Sequence, residues 1–527
     1  MSFYDEYKPF RNYMRQFQRL QGLIDIWQYS LHIVEGKSLP LDYLADIAAR
    51  TRRNLHQYLY PWDIDILARE LILNGAERRN RSLQRWGDLS VAIDHLRRLG
   101  DEAYSRGDAE PADVMLEMHR IAHRQFPWQQ KMGANGFIRA LKVFGHASVN
   151  CIVERELGMS AEQFIMLGTA VTGNFHRSWG MSTEQNYSAL GIPVAASQAF
   201  FERLSSTCGT LREQTLAVQR YNSDWQYTWN PLQARPLVRF DRDHPARVVC
   251  PMPYYLIKRA TAGLFYDLVR SSDFDNPFGY SFQSYIGEIA QIFFTQPAFT
   301  VAAPAPYDIG SRHLHGVDWI ISDRTGHLFL ECKTKRLTMR AKSEADTAAV
   351  DHDLSVLAEA VVQNFKNMQH AMEGKTAWKS DGMPVFSMIL TLEDWFIFSP
   401  RVRELLQNNL RLLAAKEGLD ERAVMQMPYT VASASEFEVA CQIIAQVGIA
   451  PLMQNKLENE TNWWLLLPFL RQHFPNELRN VNWDFQTREL NELLGRVTKT
   501  SGSPKNGASE FGNELATAIR VKSTLRG

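Results

Sequence analysis

The sequence predicts an α+β fold in which a mixed β-sheet core lies between a large helical N-terminal region and a helical C-terminal region. Three observations carry this prediction. Apolar residues recur at helical spacing before residue 235 and again after Pro400. Between these regions, two apolar runs, 316–322 and 327–333, flank a polar turn, as in a β-hairpin. Helix-like patterns flank the hairpin in turn, so a sheet covered by helices is expected.

Residues 1–235 are predicted to be mostly helical. Short apolar stripes at helical spacing include Ile64, Leu67 and Leu71. Arginines cluster among the stripes, and they are Arg50, Arg52, Arg53, Arg78, Arg79, Arg81, Arg97 and Arg98. Such clusters are most often solvated helix faces with ion pairs. The alternative is a surface for nucleic acid or for a partner protein, so the region is expected to serve an accessory or targeting role.

Residues 236–400 are predicted to hold the sheet, after a proline-containing boundary at 230–236. The run 280–294 has its apolar residues at helical spacing, and 298–302 is a short β-rich run. The hairpin follows. A long amphipathic helix is predicted over 354–372, and a buried strand over 385–392. The predicted order is therefore helix, three strands, helix, strand.

The turn of the hairpin decides which side chains face each other. Side chains alternate along a strand, so Glu331 and Lys333 share one face. A loop of two or four residues centred on 324–325 would place Asp318 opposite Glu331, with Cβ atoms roughly 5 Å apart. A three-residue loop with a bulge would instead put the two carboxylates on opposite faces.

Two carboxylates that face each other across strands repel unless a cation lies between them. A divalent metal would remove the repulsion between Asp318 and Glu331, and the adjacent Lys333 would then hold a phosphate or polarise a water. The alternative is a structural ion cluster in which Lys333 neutralises one of the carboxylates. The sequence alone leaves both interpretations open.

The spacing D-x(12)-E-x-K, formed by Asp318, Glu331 and Lys333, resembles the catalytic motif of the PD-(D/E)xK nuclease superfamily, which includes restriction endonucleases. Val317 stands where that family usually has proline. The resemblance covers roughly residues 275–400, and the family core has the order α-β-β-β-α-β. It implies a restriction-endonuclease-like mixed sheet with metal-dependent nuclease activity.

The resemblance also implies roles for individual residues. Asp318 and Glu331, with the main-chain carbonyl of Cys332, would bind one or two Mg²⁺ ions, and Mn²⁺ is expected to substitute. Lys333 would orient the attacking water or offset the developing charge. Glu288, on the helix before the first strand, would complete the outer metal shell.

Further positions are weaker candidates. Gln363 and Lys366 lie on the polar side of the predicted long helix, where some relatives place a Gln or Lys near the site. His315 precedes the first carboxylate closely enough to lie at the rim of the metal site. A basic run leaves the second strand, and its predicted phosphate contacts are Lys335, Arg336, Arg340 and Lys342. A solvated charged face is the alternative for this run.

Beyond the core, 401–497 is predicted to be a helical C-terminal region. Residues 498–527 are rich in Ser, Gly, Lys and Asn and are predicted to be a flexible tail.

The numbers of basic and acidic residues are equal, since Lys plus Arg and Asp plus Glu number 58 each, so binding to phosphate must come from local patches. Five cysteines without a C-x-x-C pair indicate neither a zinc ribbon nor a disulfide framework. No run approaches the ~18 apolar residues of a membrane span, so a cytoplasmic protein is expected.

The predicted function is metal-dependent hydrolysis of phosphodiester bonds in DNA, with microbial restriction, anti-phage defence or DNA repair as the setting that the resemblance implies. Cleavage of RNA by the same core is one alternative. A catalytically inert scaffold that acts through its helical regions is another. The expected partner is nucleic acid, DNA before RNA, and the helical regions are candidates for binding a protein partner or for self-association.

Overall fold

The computed structural model describes residues 2–105, 111–129, 133–344, 346–458 and 460–500, without the side chains of 102–105, 111–113, 189, 494 and 496–500. The predicted flexible tail at 498–527 lies outside the described residues from 501 onward. Its first three residues end the last helix.

The helices are α1 Phe3–Met14, α2 Arg19–Glu35, α3 Leu41–Leu44, α4 Ala49–Arg53, α5 Pro61–Asn74, α6 Trp86–Ser105, α7 Pro111–Gln125, α8 Ala134–Gly145, α9 Ala147–Leu157, α10 Ala161–Phe175, α11 Val194–Leu204, α12 Cys208–Val218, α13 Pro253–Ala260, α14 Phe265–Leu268, α15 Asp275–Phe293, α16 Met339–Ser343, α17 Thr347–Met372, α18 Pro400–Glu417, α19 Glu421–Gln426, α20 Ala434–Val447, α21 Ile449–Lys456, α22 Leu466–His473, α23 Pro475–Leu478 and α24 Thr487–Thr500. The strands are β1 Gly180–Ser182, β2 Ser205–Thr207, β3 Leu237–Arg239, β4 Arg247–Val249, β5 Thr300–Ala302, β6 Tyr307–Ile309, β7 Arg312–Leu314, β8 Trp319–Ser322, β9 His327–Lys333, β10 Val385–Thr391 and β11 Tyr429–Ser433. Single 3-10 turns include Leu55–Gln57 between α4 and α5.

The chain divides into two compact units, and each is discontinuous in sequence. Unit 1 takes the described residues within 1–108, 124–274 and 486–527, and unit 2 takes those within 109–123 and 275–485. These bounds differ from the predicted division at 235, 400 and 497. The difference arises from pairings and packing between segments that are distant in sequence.

Unit 1 is mostly helical, as predicted for the N-terminal region. It also contains a small sheet with the strand order β1-β4-β3-β2. The strands β3 and β4 lie within 236–400, the range predicted to hold the sheet of the core. They pair with β2 and β1 instead, so they belong to unit 1. Its core is formed by aromatic and aliphatic side chains such as Tyr7, Phe10 and Trp225.

Unit 2 is built on a five-stranded mixed sheet with the order β11-β10-β9-β8-β5. The pairs β5–β8 and β8–β9 are antiparallel, and β9–β10 and β10–β11 are parallel. The strand β11 lies in 401–497, the region predicted to be helical. Its parallel pairing with β10 joins the C-terminal region to the same sheet. The α+β class with a mixed sheet is therefore confirmed.

Helices cover both faces of this sheet. On one face, α15 approaches Trp319 so closely that a Cβ at Gly287 would lie 2.0 Å from the indole ring. The Trp319 indole N–H also donates to the Gln283 carbonyl at 2.9 Å. On the other face, α17 places Asn364 where its side-chain amide donates to the Phe329 carbonyl at 3.3 Å. The sheet is thus a buried layer between α15 and α17.

Helix α7 interrupts unit 1 in sequence, and its residues up to His123 belong to unit 2. Leu116 is buried in the apolar cluster that covers α17. The Arg120 guanidinium donates to the Ser343 carbonyl at 2.9 Å. A chain that begins near residue 235 would lack these contacts, so we expect unit 2 to be destabilised in such a chain. No helix in the described part of the chain combines the length and the apolar character that crossing a membrane requires.

Candidate metal centre

The hairpin β8–β9 has the register that an even loop predicts. Trp319 pairs with Leu330, and Ser322 pairs with His327, which leaves a four-residue loop. Asp323 closes this loop, because its carboxylate accepts the N–H groups of Thr325 at 2.7 Å and of residue 326 at 3.0 Å. The side chain of a turn aspartate thereby fixes the register locally.

Asp318 lies immediately before β8 and is tied to the main chain on both sides of Glu331. Its N–H donates to the Leu330 carbonyl at 3.0 Å. Its Oδ2 accepts the N–H of Cys332 at 2.6 Å. The two predicted carboxylates are therefore neighbours, although the described strand pairing itself ends at Trp319.

Glu331 is 2% exposed and lies near the end of β9. One carboxylate oxygen, Oε1, accepts a hydrogen bond from Lys333 Nζ at 2.8 Å. The other oxygen, Oε2, is buried and has no hydrogen-bond donor among the described residues. Most buried polar atoms have a partner, so this oxygen calls for a specific explanation.

Lys333 links strand β9 to helix α17. It follows Glu331 by two residues, so both side chains lie on the α17 face of the sheet. Its Nζ also donates to Gln363 Oε1 on α17 at 3.2 Å. The structure thus brings together Asp318, Glu331, Lys333 and the weaker candidate Gln363.

The pKa values of both carboxyl groups are raised. Burial and, to a smaller extent, the charge of Asp318 raise the pKa of Glu331 to about 7, and Lys333 partly opposes this change. Burial also raises the pKa of Asp318, against the N–H of Cys332 and the charge of Lys333. Each carboxylate therefore disfavours ionisation of the other, as expected for like charges in a shielded site.

The residues fit a hard divalent cation in part. Oε2 of Glu331 lacks a donor, and Asp318 supplies a second carboxylate beside it. The Cys332 carbonyl is a further oxygen ligand that the same segment offers. Within the described residues, no group of three or more His, Cys, Asp or Glu side chains could hold a metal ion. Water and substrate oxygens would therefore complete the shell, which suits Mg²⁺, because Mg²⁺ retains several waters.

Glu288 is not brought to this centre. It is exposed on α15, and α15 packs on the Trp319 face of the sheet. Trp319 pairs with Leu330, so that face is opposite to the one that carries Glu331. The helical pattern predicted the position of α15 in sequence but not the face that it covers.

The basic run after β9 is mostly engaged with acidic groups. Arg336 is 6% exposed and forms an ion pair with Glu393 at 3.0 Å, so the predicted phosphate contact is wrong for this residue. Lys342 is paired with the same carboxylate at 3.3 Å. Arg340 is exposed, but it is paired with Asp346 at 2.6 Å. Only Lys335 of the four is exposed without a described ion pair.

The remaining candidates lie around the centre rather than in it. Lys366 forms an ion pair with Glu417 at 2.5 Å. His315 is exposed, and its ring lies 5.7 Å from the ring of His313, which is bonded to Asp308 at 2.8 Å. No described hydrogen bond links either Lys366 or His315 to the two carboxylates.

Asn367 is a residue to which the sequence gave no role. Its amide satisfies its neighbours when the oxygen accepts the Val317 N–H at 3.3 Å and the nitrogen donates to the His315 carbonyl at 3.3 Å. The same nitrogen then donates to Tyr307 Oη at 3.0 Å. Asn367 thereby ties the segment that leads into Asp318 to α17. The signal for this role in the sequence is an asparagine on the inward-facing side of a long helix.

Comparison with known proteins adds nothing to this geometry: no family model, no curated protein and no solved structure matches the chain.

Proposed function

We propose that the protein is a metal-dependent phosphodiesterase that cleaves nucleic acid, with DNA as the expected substrate. The observation that supports this most is the buried Oε2 of Glu331, which has no donor and lies beside a second carboxylate. A structural ion cluster with Lys333 gives a partner to Oε1 of Glu331 and leaves Oε2 without one. A cation that binds between the carboxylates gives that oxygen a partner and removes their repulsion.

Each residue has a defined part in this proposal. Asp318 and Glu331, with the carbonyl of Cys332, hold the ion. Lys333 offsets negative charge next to the reacting phosphate, and Gln363 accepts one of its N–H groups, which limits where the ammonium group can lie. When bound, the ion would lower the pKa of a water ligand and stabilise the charge of the transition state.

Asp323 and Asn367 position these groups rather than react. Asp323 fixes the loop that sets the strand register. Asn367 anchors the segment before Asp318. Both act through the backbone, so we expect their loss to displace the carboxylates by small distances. Small displacements of catalytic groups have large effects on rate.

The proposal is tested by incubating the purified chain with plasmid DNA, linear DNA and total RNA in the presence of Mg²⁺, Mn²⁺ or EDTA. We expect cleavage of DNA with either metal and none with EDTA. Cleavage of RNA alone would change the substrate class and retain the chemistry. Binding without cleavage under every metal condition would reject the enzyme and favour an inert scaffold.

A further inference from the structure

An arginine-rich segment of unit 1 contains no acidic residue. The residues 49–62 include Arg50, Arg52 and Arg53 and lack both Asp and Glu. The three arginines are exposed on α4. Arg52 donates to the Leu44 carbonyl at 2.7 Å, whereas Arg50 and Arg53 form no ion pair in the part of the chain that the structure describes. This segment therefore carries uncompensated positive charge.

Aromatic rings follow directly after these arginines. Tyr60 stacks on Trp62 with ring centres 4.8 Å apart and an interplanar angle of 12°. The guanidinium of Arg97 lies 5.2 Å from the centre of the Tyr60 ring. Arg97 also donates to the Tyr58 carbonyl at 2.9 Å, which fixes that residue against α6. The Tyr58 side chain is 39% exposed.

The acidic residues on either side of the segment are engaged elsewhere. Asp46 accepts the N–H groups of Trp86 at 3.0 Å and of residue 87 at 3.1 Å. Asp63 is buried and forms an ion pair with Arg97 at 2.9 Å. It compensates Arg97, and no ion pair among the described residues involves the arginines of α4. The segment 49–62 with Arg97, which we call the arginine–aromatic surface, thus combines exposed arginines with flat rings.

We infer that the arginine–aromatic surface binds single-stranded nucleic acid. Guanidinium groups attract the phosphate backbone without regard to sequence. Exposed rings such as Tyr58 stack on unpaired bases, which every single strand offers and a duplex does not. A duplex would offer phosphates to the guanidinium groups but no unpaired bases to the rings. This inference does not rest on the proposed cleavage, because it concerns binding by unit 1 and can be measured without metal.

The test uses the full-length chain in EDTA and a fluorescent oligothymidylate of about 20 nucleotides, followed by anisotropy across a salt titration. Replacing Arg50 and Arg53 by alanine is expected to weaken binding at least about tenfold, and to reduce the salt slope by about 1.4. The matched control replaces Arg78 and Arg79, an exposed arginine pair between α5 and α6, and should change binding less than about twofold.

The aromatic part is tested separately with Tyr58→Ala and Tyr58→Phe. Loss of a stacking ring should weaken the single-strand complex about fivefold or more, and phenylalanine should preserve it. A duplex of the same length should bind less tightly and should not respond to either variant. The inference is overturned if the chain binds no oligonucleotide, if the control pair loses as much affinity, or if Tyr58→Ala binds single strands normally.

Discussion

Glu331 and Glu436 are two glutamates of unit 2 whose pKa values are both raised to about 7, yet their surroundings differ. Glu436 accepts the Ser433 N–H at 3.1 Å on one oxygen and the Leu467 N–H at 3.0 Å on the other. Glu331 has Lys333 on one oxygen and no described donor on the other. Burial is the largest cause of both pKa shifts, so the shift does not separate them.

The comparison shows that hydrogen bonding, rather than the pKa shift, distinguishes the two carboxylates. Glu436 caps the start of α20, where its bonds complete the backbone of a capping box. Its role is explained within the fold. Glu331 has one carboxylate oxygen without a described donor, and a second carboxylate lies beside it. Perturbed pKa values occur in structural networks as well as in functional sites, and under the proposed function the two glutamates represent these two cases.

The largest effect is expected on cleavage. Glu331→Gln or Asp318→Asn removes a charge that holds the ion, and Lys333→Ala removes the compensating cation. Each change should lower the cleavage rate by about 10³-fold or more. Glu436→Gln, at the matched site, should cleave normally once its folding has been verified. Equal losses in Glu331→Gln and Glu436→Gln would erase the proposed distinction between the two glutamates.

The next effect concerns stabilisation by metal. A ligand that binds only the folded state at about 100 times its Kd stabilises it by about 2.7 kcal/mol. We therefore expect Mg²⁺ or Mn²⁺ to raise the melting temperature of the natural chain and of Glu436→Gln, but not that of Glu331→Gln. Differential scanning fluorimetry with and without EDTA measures this. A metal-induced shift that persists in Glu331→Gln would place the ion elsewhere.

The third expected effect is on the pH dependence of the free energy of unfolding. The folded-state pKa of Glu331, about 7, exceeds its ordinary value of 4.5, so the folded state binds the proton more tightly. Its contribution to the free energy of unfolding is thus fully present below about pH 4.5 and is lost as pH rises through about 7. Glu331→Gln cannot ionise, so it should be more stable than the natural chain near pH 8, by about 1–3 kcal/mol, in the absence of metal.

The variant Glu436→Gln is expected to differ from Glu331→Gln in the same measurement of the free energy of unfolding. A glutamine at position 436 would place its NH₂ group against one of the two backbone N–H donors. One buried hydrogen bond would therefore be lost. A loss of about 1–3 kcal/mol is expected below about pH 4.5. The difference should shrink as pH rises through about 7, because the natural Glu436 loses its own contribution to stability there. Urea unfolding in EDTA at several pH values would measure both variants. Destabilisation of Glu331→Gln near pH 8 would support the structural ion cluster in place of the metal centre.

The smallest effect is expected at Gln363. Its loss leaves Lys333 bonded to Glu331 but releases the ammonium group from α17. Gln363→Ala should therefore lower cleavage by about tenfold without changing metal-induced stabilisation. Gln363→Glu should restore an acceptor for Lys333. A chain in which Gln363→Ala cleaves at the natural rate would limit the centre to the strand residues.

The sequence predicted the parts of unit 2 that depend on short segments. The sequence reduced the register of β8 and β9 to an even or an odd loop, and Asp323 stabilises the even loop through bonds within the turn itself. The periodicity of 354–372 likewise identified most of α17. Both features depend on residues that are close in sequence, because side-chain alternation in strands and helical spacing follow directly from backbone geometry.

The features that were missed depend on partners distant in sequence. The run that forms β11 is five residues long and becomes a strand because β10 lies beside it. Arg336 resembles its basic neighbours in sequence, and only the position of Glu393 explains why it is buried. The face that α15 covers, which separates Glu288 from the carboxylates, is likewise set by tertiary packing. Local patterns contain no information on such choices.

The discontinuity of the two units has a consequence for how the protein is made. Unit 1 is incomplete until α24 has been synthesised, because Gln486 and Glu489 contact Asn135 and Lys142. Unit 2 needs both α7 and β11. Domains generally fold as they leave the ribosome, N-terminal first. Here unit 1 stays incomplete through most of translation, so a polypeptide that ends before β11 would contain neither unit 1 nor unit 2 in full.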